Sequence, residues 1–150
     1  MRRAVLAAIV AGAVLVPPAS ARRACQASVA RGVLPSWART GFSDPRPRMP
    51  HAVARDGSIA ALFFGDPLRF PTPKHGSNKV LWVARHTPRG PSDLRISAQR
   101  MRGRRAVGRH VIRVVRGGPG PSYLNLPAEG CWRLTLSWSR HRDELDVRFR

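Results

Sequence analysis

At 150 residues, the chain is long enough for one domain with a hydrophobic core and too short for two domains of ordinary size. Its 27 basic residues against 8 acidic residues give a net charge of +19, which favours anionic partners over cationic ones. Nearly all of the positive charge is arginine, so the arginine-rich codon usage of a GC-rich genome is an equally simple source of it.

The N-terminus has the layout of a secretory signal peptide. Two arginines precede an apolar run over residues 4–16, and residues 19–21 form an A-x-A cleavage site. The apolar run is well short of the roughly 20 residues that span a bilayer, and the residues before Cys25 do not form a lipobox. We therefore predict residues 1–21 as a signal peptide, a secreted or extracytoplasmic location, and no transmembrane segment after cleavage.

Two cysteines, Cys25 and Cys131, lie after the predicted cleavage site. In an exported protein an even pair predicts a disulfide, which would tie the start of the mature chain to a strand near its end. The cysteines and the five scattered histidines show no metal-ligand spacing, so we predict no metal and no other cofactor.

The region 127–149 gives the clearest structural signal in the chain. Apolar residues alternate with polar ones in two runs, which are Trp132, Leu134, Leu136 and Trp138, and then Leu145, Val147 and Phe149. Alternation at period two predicts two half-buried antiparallel strands joined as a β-hairpin. Because Cys131 is out of phase with Trp132, we expect its sulfur to face away from the core.

Further strands are predicted before this hairpin. Asp56-Gly57 between the apolar runs 51–55 and 58–64 predicts a second hairpin whose turn needs positive φ at both central positions. Residues 65–78 form a proline-rich loop long enough to be a candidate binding loop. Residues 79–85 are apolar on both faces, which predicts a central strand.

The remaining segments continue the strand pattern. Residues 94–100 alternate cleanly with Leu94, Ile96 and Ala98 inward, and 101–105 form a basic turn. A longer strand with a bulge is expected over 106–116, and a short one over 122–126.

Roughly seven or eight short strands, separated by Gly and Pro and without a helical period outside the leader, predict an all-β antiparallel sandwich at residues 51–150. The immunoglobulin-like class is the natural expectation, with Trp82 as the core tryptophan. Glu129 stands where an antibody-type domain carries tyrosine. Residues 22–50 lack a sustained period, so we predict an irregular N-terminal arm.

Several segments together resemble a known family. These are Pro35-Ser-Trp-Ala38 with Gly41-Phe-Ser43, Asn78-Lys-Val-Leu-Trp-Val83, Gly117-Gly-Pro-Gly-Pro-Ser122, and Gly130-Cys-Trp132 with His141-Arg-Asp-Glu-Leu145. They are similar to segments of small exported proteins of high-GC Gram-positive bacteria that carry an immunoglobulin-like β domain. The resemblance covers most of the chain after residue 34. It implies export and a single β domain, and it brings no assigned activity or catalytic residues.

Ser139, His141 and Asp143 are the residue types of a hydrolytic triad. Spaced by two around one turn, they are poorly placed to set a base between nucleophile and carboxylate beside an oxyanion hole. We therefore predict a solvated turn in which Asp143 bonds its own backbone, and we predict no catalytic residue. A small secreted hydrolase with a site assembled from loops is the alternative.

Arginine is densest between residues 100 and 116. The candidate anion-binding residues are Arg100, Arg102, Arg104, Arg105, Arg109 and Arg113. Positions 105, 109 and 113 share a strand face if no bulge intervenes, which would make a ladder of guanidinium groups suited to phosphate or carboxylate. The alternative is a solvated edge strand whose charges prevent aggregation.

Aromatic residues do not interleave with these arginines as they do in single-strand nucleic-acid binders, and export also argues against a specific nucleic-acid partner. We hypothesise a non-catalytic envelope or secreted binding module. Its partner would be an anionic polymer, a lipid surface or a protein.

Overall fold

The computed structural model describes residues 24–74, 78–86, 90 and 92–150, so the predicted signal peptide lies outside the described residues. Within this part of the chain, nine antiparallel strands form two sheets packed face to face, which confirms the predicted all-β sandwich. The strands are β1 (Ala30–Val33), β2 (Arg48–Val53), β3 (Ile59–Phe63), β4 (Lys79–Ala84), β5 (Leu94–Arg102), β6 (Arg105–Val115), β7 (Pro121–Tyr123), β8 (Gly130–Trp138) and β9 (His141–Phe149). A 3-10 helix spans Ser36–Ala38.

The five-stranded sheet has the order β1-β2-β3-β4-β7, and the four-stranded sheet has the order β6-β5-β8-β9. The predicted C-terminal hairpin is confirmed as β8 and β9, which meet at a two-residue connection between Trp138 and His141. The apolar strand β4 lies between β3 and β7, as its two apolar faces predicted. No helix in the described residues is long and apolar enough to cross a membrane.

The core fills the space between the sheets. Trp82 and Trp132 are fully buried there, together with the inward residues predicted for β5. The indole N–H groups of these two residues have partners, since Trp82 Nε1 donates to Ser122 Oγ at 2.9 Å and Trp132 Nε1 donates to the carbonyl of Ala128 at 3.0 Å. A buried aromatic of this kind contributes about 1.5–3 kcal/mol through its apolar area, provided its polar atom is satisfied.

The N-terminal arm differs from the prediction, because part of it belongs to the sandwich. Strand β1 lies within residues 22–50, and β2 begins at Arg48. Neither segment shows the period-two pattern that would have revealed it. β1 is a four-residue edge strand with Gly32 inside it, and β2 contains Pro50 opposite Arg31.

Two parts of the arm cover the outer faces of the sheets, meaning the faces that point away from the core. On the five-stranded sheet, residues 34–42 pack over Ala60 and Leu62, and they bury Leu34 completely. On the four-stranded sheet, Cys25 forms the predicted disulfide with Cys131, whose sulfur faces outward as expected. These two covers fix the arm to both sides of the domain.

Candidate anion-binding site

The β5–β6 hairpin carries the predicted arginines to one end of the sandwich. The two strands pair as far as Arg102 opposite Arg105, and Gly103 turns the chain between them with a φ of +58°. Glycine takes this left-handed conformation without steric cost. Arg102, Arg104 and Arg105 are therefore exposed together at the tip of a short, fixed turn.

Arg100 belongs to the same end, and its side chain passes close to a glycine. It lies opposite Trp132 on β8 and is partly buried. Its Nε would stand 3.2 Å from a Cβ at Gly130, which has a φ of +110°. Gly130 thus permits both the backbone conformation and the close approach of the guanidinium group.

A cavity of about 360 Å³ opens beside these arginines. Arg100, Arg102 and Arg148 line it together with the Cys25–Cys131 disulfide, and we call it the arginine cavity. Arg148 enters because it lies opposite Cys131 on the outer face of the sheet. Several guanidinium groups around one concave space suit the directed binding of phosphate or carboxylate oxygens.

Sequence reasoning missed Arg148 as a site residue. It lies 32 positions after Arg116, the last arginine of the run, and joins the site only through the pairing of β8 with β9. In the predicted hairpin, the alternation of side chains places Arg148 on the outer face, on the same side as Cys131. This alternation was the available signal that Arg148 belongs to the site.

The predicted ladder of Arg105, Arg109 and Arg113 does not form, because a bulge intervenes. Residues 108–110 oppose the single residue Gln99, whose Nε2 donates to the carbonyl of Val107 at 2.8 Å. Arg109 lies in this bulge and has no residue directly opposite it. Arg105 and Arg113 lie opposite Arg102 and Ile96, which places them roughly 20 Å apart along the sheet.

Arg113 has a structural task instead. It lies opposite the buried Ile96, on the core side of an edge strand, and its guanidinium reaches out of the sandwich. There it donates to the carbonyl of Ile112 at 3.0 Å and to the carbonyl of Asn125 at 3.1 Å. The second bond links the edge of the four-stranded sheet to the segment that follows β7, so Arg113 closes the sandwich rather than extending the site.

The acidic residues of the chain are mostly engaged away from the arginine cavity. The carboxylates in ion pairs are Asp66 with Arg31, Asp93 with Arg116, Glu144 with Arg55, and Asp146 with Arg55 and Arg133. In the part of the chain that the structure describes, no carboxylate lies within ion-pair distance of Arg100, Arg102 or Arg148. The positive charge of the cavity is therefore not neutralised by these carboxylates.

Arg116, the last arginine of the run, is neutralised at the opposite end of β6. Its guanidinium lies 2.9 Å from the carboxylate of Asp93. The hydrogen bond from the backbone N–H of Gly117 is the largest influence and lowers the pKa of Asp93, whereas desolvation raises it. The hydrogen bond and charge of Arg116 lower it further, so the pKa lies below its ordinary value. The arginine run thus ends in a paired residue and begins in residues without such pairs.

A second charged cluster lies under the N-terminal arm. Asp146 is buried on the outer face of the four-stranded sheet, where it accepts hydrogen bonds from Arg133, Arg55 and the backbone N–H of Gln26. Burial opposes ionisation of this carboxyl, but the hydrogen bonds of Arg133 and Gln26 and the charges of Arg133 and Arg55 together hold its pKa below the ordinary value. The cluster anchors the arm through the N–H of Gln26, and its charged side chains pair with each other.

A groove of about 780 Å³ runs beside that cluster, between the arm and the β2–β3 connection. Its charged lining is mixed, and Arg55, Glu144 and Asp146 are paired within it. The groove is larger than the arginine cavity, yet it lacks a concentration of charge of one sign.

Of the residues with the types of a hydrolytic triad, Asp143 and His141 contact other parts of the chain. Asp143 is buried rather than solvated as we predicted, and it accepts hydrogen bonds from the backbone N–H groups of Asp56 and Ser58 and from the Ser58 hydroxyl. It also accepts from its neighbour Glu144, which agrees with the predicted bond to its own backbone. His141 stacks on Trp138 with ring centroids 5.4 Å apart. The carboxylate thus holds the β2–β3 connection.

That connection also differs from its prediction. The hairpin of β2 and β3 is present, but residues 54–58 join the strands, and only Gly57 of the Asp-Gly pair has a positive φ, at +70°. The turn is longer than a two-residue type I′ turn because Asp143 bonds the N–H groups on both sides of Gly57.

Among the described residues, no group of three histidines, cysteines or carboxylates is arranged to hold a metal ion. His75 lies outside the described residues. Ser97 Oγ and His110 Nε2 lie 2.5 Å apart on the exposed side of β5 and β6. In the described residues no carboxylate bonds to His110, so this serine–histidine contact lacks the orienting acid of a hydrolytic triad.

Comparisons with protein-family models, curated proteins and solved structures found no match to the chain. The resemblance to small exported proteins and the immunoglobulin-like assignment therefore stay predictions. The geometry of the arginine cavity is the basis for a functional conclusion.

Proposed function

We propose that this protein is an exported, non-catalytic binding module, an immunoglobulin-like sandwich that holds a phosphate- or carboxylate-bearing component of the cell envelope. The contact residues are Arg100, Arg102, Arg104 and Arg105 of the hairpin, with Arg148 beside them. The observation that carries the proposal is the arginine cavity, which Arg100, Arg102 and Arg148 line without a carboxylate partner in the described residues.

The local geometry supports an anion site over a general effect of net charge. Elsewhere in the chain, arginines with structural tasks are matched, as Arg133 is to Asp146 and Arg113 is to backbone carbonyls. At the hairpin tip, neither Arg102 nor Arg105 forms an ion pair with a carboxylate of the described residues. Two guanidinium groups on one fixed turn bind an oxyanion with directed hydrogen bonds, which a diffuse positive surface does not provide.

The test compares two charge-matched double variants of the mature protein. In one, Arg102 and Arg105 are replaced by serine. In the other, serine replaces Arg140 and Arg142, which are exposed beside the β8–β9 connection, at the opposite end of the four-stranded sheet from the hairpin tip. Binding to soluble polyphosphate is measured by titration calorimetry at several salt concentrations. Because exposed charges are screened over about 8 Å at physiological ionic strength, wild-type binding should weaken as salt is added.

We expect the Arg102→Ser/Arg105→Ser variant to lose about tenfold or more in affinity, since hydrogen bonds to charged groups contribute about 1.5–3 kcal/mol each. The Arg140→Ser/Arg142→Ser variant should stay within about threefold of wild type, because it changes only the long-range field. Equal losses in both variants would show that net charge alone is responsible. A wild type that binds no polyanion at all would refute the proposal.

A further inference from the structure

The Cys25–Cys131 disulfide forms part of the wall of the arginine cavity. Both cysteines line the cavity together with Arg100, Arg102 and Arg148. Cys131 lies directly opposite Arg148 in the pairing of β8 with β9. The Cβ atoms of such a cross-strand pair are about 4.5–5.5 Å apart. The disulfide is therefore a direct neighbour of the guanidinium groups to which we assign anion binding.

Cys25 also holds the turn that carries the exposed arginines. Strand β8 pairs with β5 only as far as Cys131 opposite Met101, so the turn of the β5–β6 hairpin extends past the paired part of β8. The backbone N–H of Cys25 donates to the carbonyl of Gly103, in the middle of that turn, at 3.2 Å. One residue of the arm thus links the turn to β8, by a hydrogen bond on one side and a disulfide on the other.

This link sets the spacing of the arginines around the cavity. Arg102 lies where β5 enters the turn, whereas Arg148 lies on β9, so the two side chains reach the cavity from different parts of the sheet. Without the disulfide, this part of the arm would be attached to the sheet by hydrogen bonds such as that from the N–H of Gln26 to Asp146. Because ordering mobile groups lowers affinity, guanidinium groups at a fixed spacing bind one anion more tightly than the same groups on a loosened turn.

The position of the disulfide also suits thiol–disulfide exchange. Cys25 is partly exposed, and the cavity beside it gives a small dithiol access to the sulfur atoms. A thiolate of the dithiol attacks one sulfur and forms a mixed disulfide, and the second thiol then displaces the protein. Two electrons and two protons pass to the two cysteines, and the dithiol becomes a disulfide. The nearby guanidinium groups favour the reaction, because positive charge stabilises the leaving thiolate.

We propose that the Cys25–Cys131 disulfide controls anion binding at the arginine cavity. The oxidised form holds the arginines at a spacing that one ligand bridges, and the form reduced by a dithiol binds the same ligand more weakly. This inference rests on the proposed function, because it uses the same arginines, and it adds the regulation of that site. Since binding and reduction are linked, a ligand that prefers the oxidised form must oppose reduction by the same factor.

The first test measures the polyphosphate affinity of the mature protein by titration calorimetry in three states, which are oxidised, reduced with dithiothreitol under nitrogen, and reoxidised. Dithiothreitol is an uncharged dithiol, so it does not compete for the arginines. A Cys25→Ser/Cys131→Ser variant, measured without reductant, lacks the disulfide permanently. Near-ultraviolet circular dichroism of the four tryptophans checks that each form is folded.

We expect reduction to weaken polyphosphate binding by about fivefold or more, since couplings between two sites typically change affinity by about 5–150-fold. Reoxidation should restore the affinity. The Cys25→Ser/Cys131→Ser variant should match the reduced protein, because it has lost the same link.

The second test measures the same coupling from the side of the disulfide. The protein is equilibrated in mixtures of reduced and oxidised dithiothreitol, with and without saturating polyphosphate, and its free thiols are alkylated and counted by mass spectrometry. Polyphosphate should lower the equilibrium constant for reduction by the factor found in the first test. At the same polyphosphate concentration, the shift should be largely lost in Arg102→Ser/Arg105→Ser and kept in Arg140→Ser/Arg142→Ser. A disulfide that only stabilised the fold, with no effect on the cavity, would show no shift.

Each failure has a distinct meaning. Equal polyphosphate affinity of the oxidised and reduced wild type, or a reduction equilibrium that polyphosphate leaves unchanged, would overturn this inference and leave the proposed function standing. The inference is also overturned if the Cys25→Ser/Cys131→Ser variant binds as tightly as the oxidised protein. Loss of the tryptophan signal on reduction would overturn it too, because the disulfide would then hold the whole fold rather than the cavity. An oxidised wild type that binds no polyphosphate would overturn both proposals.

Discussion

The N-terminal arm covers the two outer faces of the sandwich by different means. Over the five-stranded sheet, residues 34–42 use apolar contacts, with Leu34 inserted beside Ala60 and Leu62. Over the four-stranded sheet, residues 25–29 use a disulfide to Cys131 and a hydrogen bond to the buried carboxylate of Asp146. The first cover resembles a small core, and the second is a charged network closed by a covalent bond.

The difference shows which arginines of this arginine-rich chain are paired with carboxylates and which are not. The apolar cover needs no charge, because its side chains gain by leaving water. The charged cover consumes Asp146 and Glu144 in holding Arg133 and Arg55. With only 8 acidic residues in the chain, little negative charge is left for the β5–β6 hairpin. The arginines there are available to a ligand because the carboxylates of Asp146 and Glu144 are paired with Arg133 and Arg55.

The charged cover should be the more sensitive of the two to a single change. Replacing Asp146 by alanine removes the carboxylate that faces two guanidinium groups and the N–H of Gln26. We expect the free energy of unfolding to fall by about 3–5 kcal/mol, as is found when one partner of a buried ion pair is lost. Chemical denaturation with the disulfide intact measures this effect.

Glu144→Gln is the matched control for Asp146→Ala. The pair of Glu144 with Arg55 is about one-third exposed on each side, so its loss should cost less than about 1 kcal/mol. Similar losses in the two variants would mean that burial of Asp146 adds nothing, and the contrast between the covers would be wrong.

The apolar cover should give a smaller loss. Leu34→Ala empties a buried site, but the site lies under a surface segment that can partly collapse into the space. We therefore expect a loss of about 2–3 kcal/mol, at the low end of the range for buried leucine. The control is Val53→Ala, an exposed position where the change should be within about 0.5 kcal/mol. A loss at Leu34 above that of Asp146→Ala would reverse the expected order.

Acid should weaken the charged cover and leave the apolar cover intact. The folded-state pKa of Asp146 lies below its ordinary value of 3.8, so its contribution is present above that value and is lost as the pH falls through the lowered pKa. Wild-type stability should therefore decline on acidification from about pH 5 downward, and the decline should be shallower in Asp146→Asn. Asp93→Asn controls for the second carboxyl with a lowered pKa. Parallel curves for wild type and Asp146→Asn would contradict the assignment.

Period-two patterns predicted the sandwich well where one face of a strand meets the core. The alternation of Leu94, Ile96 and Ala98 and the apolar run of β4 both matched their places in the sheets. The pattern failed for β1, whose four residues lie at an edge and pack little on either side. The local sequence cannot show that such a segment forms a strand, because strand formation there depends on pairing with the neighbouring strand.

Only part of the candidate site could be predicted from the sequence, for a related reason. Composition indicated the arginines at 100–105, since they follow one another around a turn. It could not show that Arg148 joins them, because that contact depends on the register of β9 with β8. Nor could it show that Arg109 lies in a bulge and that Arg113 bonds the carbonyl of Asn125, since both follow from how the edge strand meets its neighbours.

The smallest expected effects separate the arginines that hold the fold from those that are free for a ligand. Arg113→Ser removes bonds to the carbonyls of Ile112 and Asn125, so it should lower the free energy of unfolding by about 0.5–1.5 kcal/mol. Arg105→Ser, at an exposed position on the same strand, should change it by less than about 0.5 kcal/mol. Polyphosphate affinity should follow the opposite order, with the larger loss in Arg105→Ser, because Arg113 lies roughly 20 Å along the sheet from the hairpin tip. Equal stability in the two variants would show that Arg113 does not close the edge, and a larger affinity loss in Arg113→Ser would move the anion site away from the cavity.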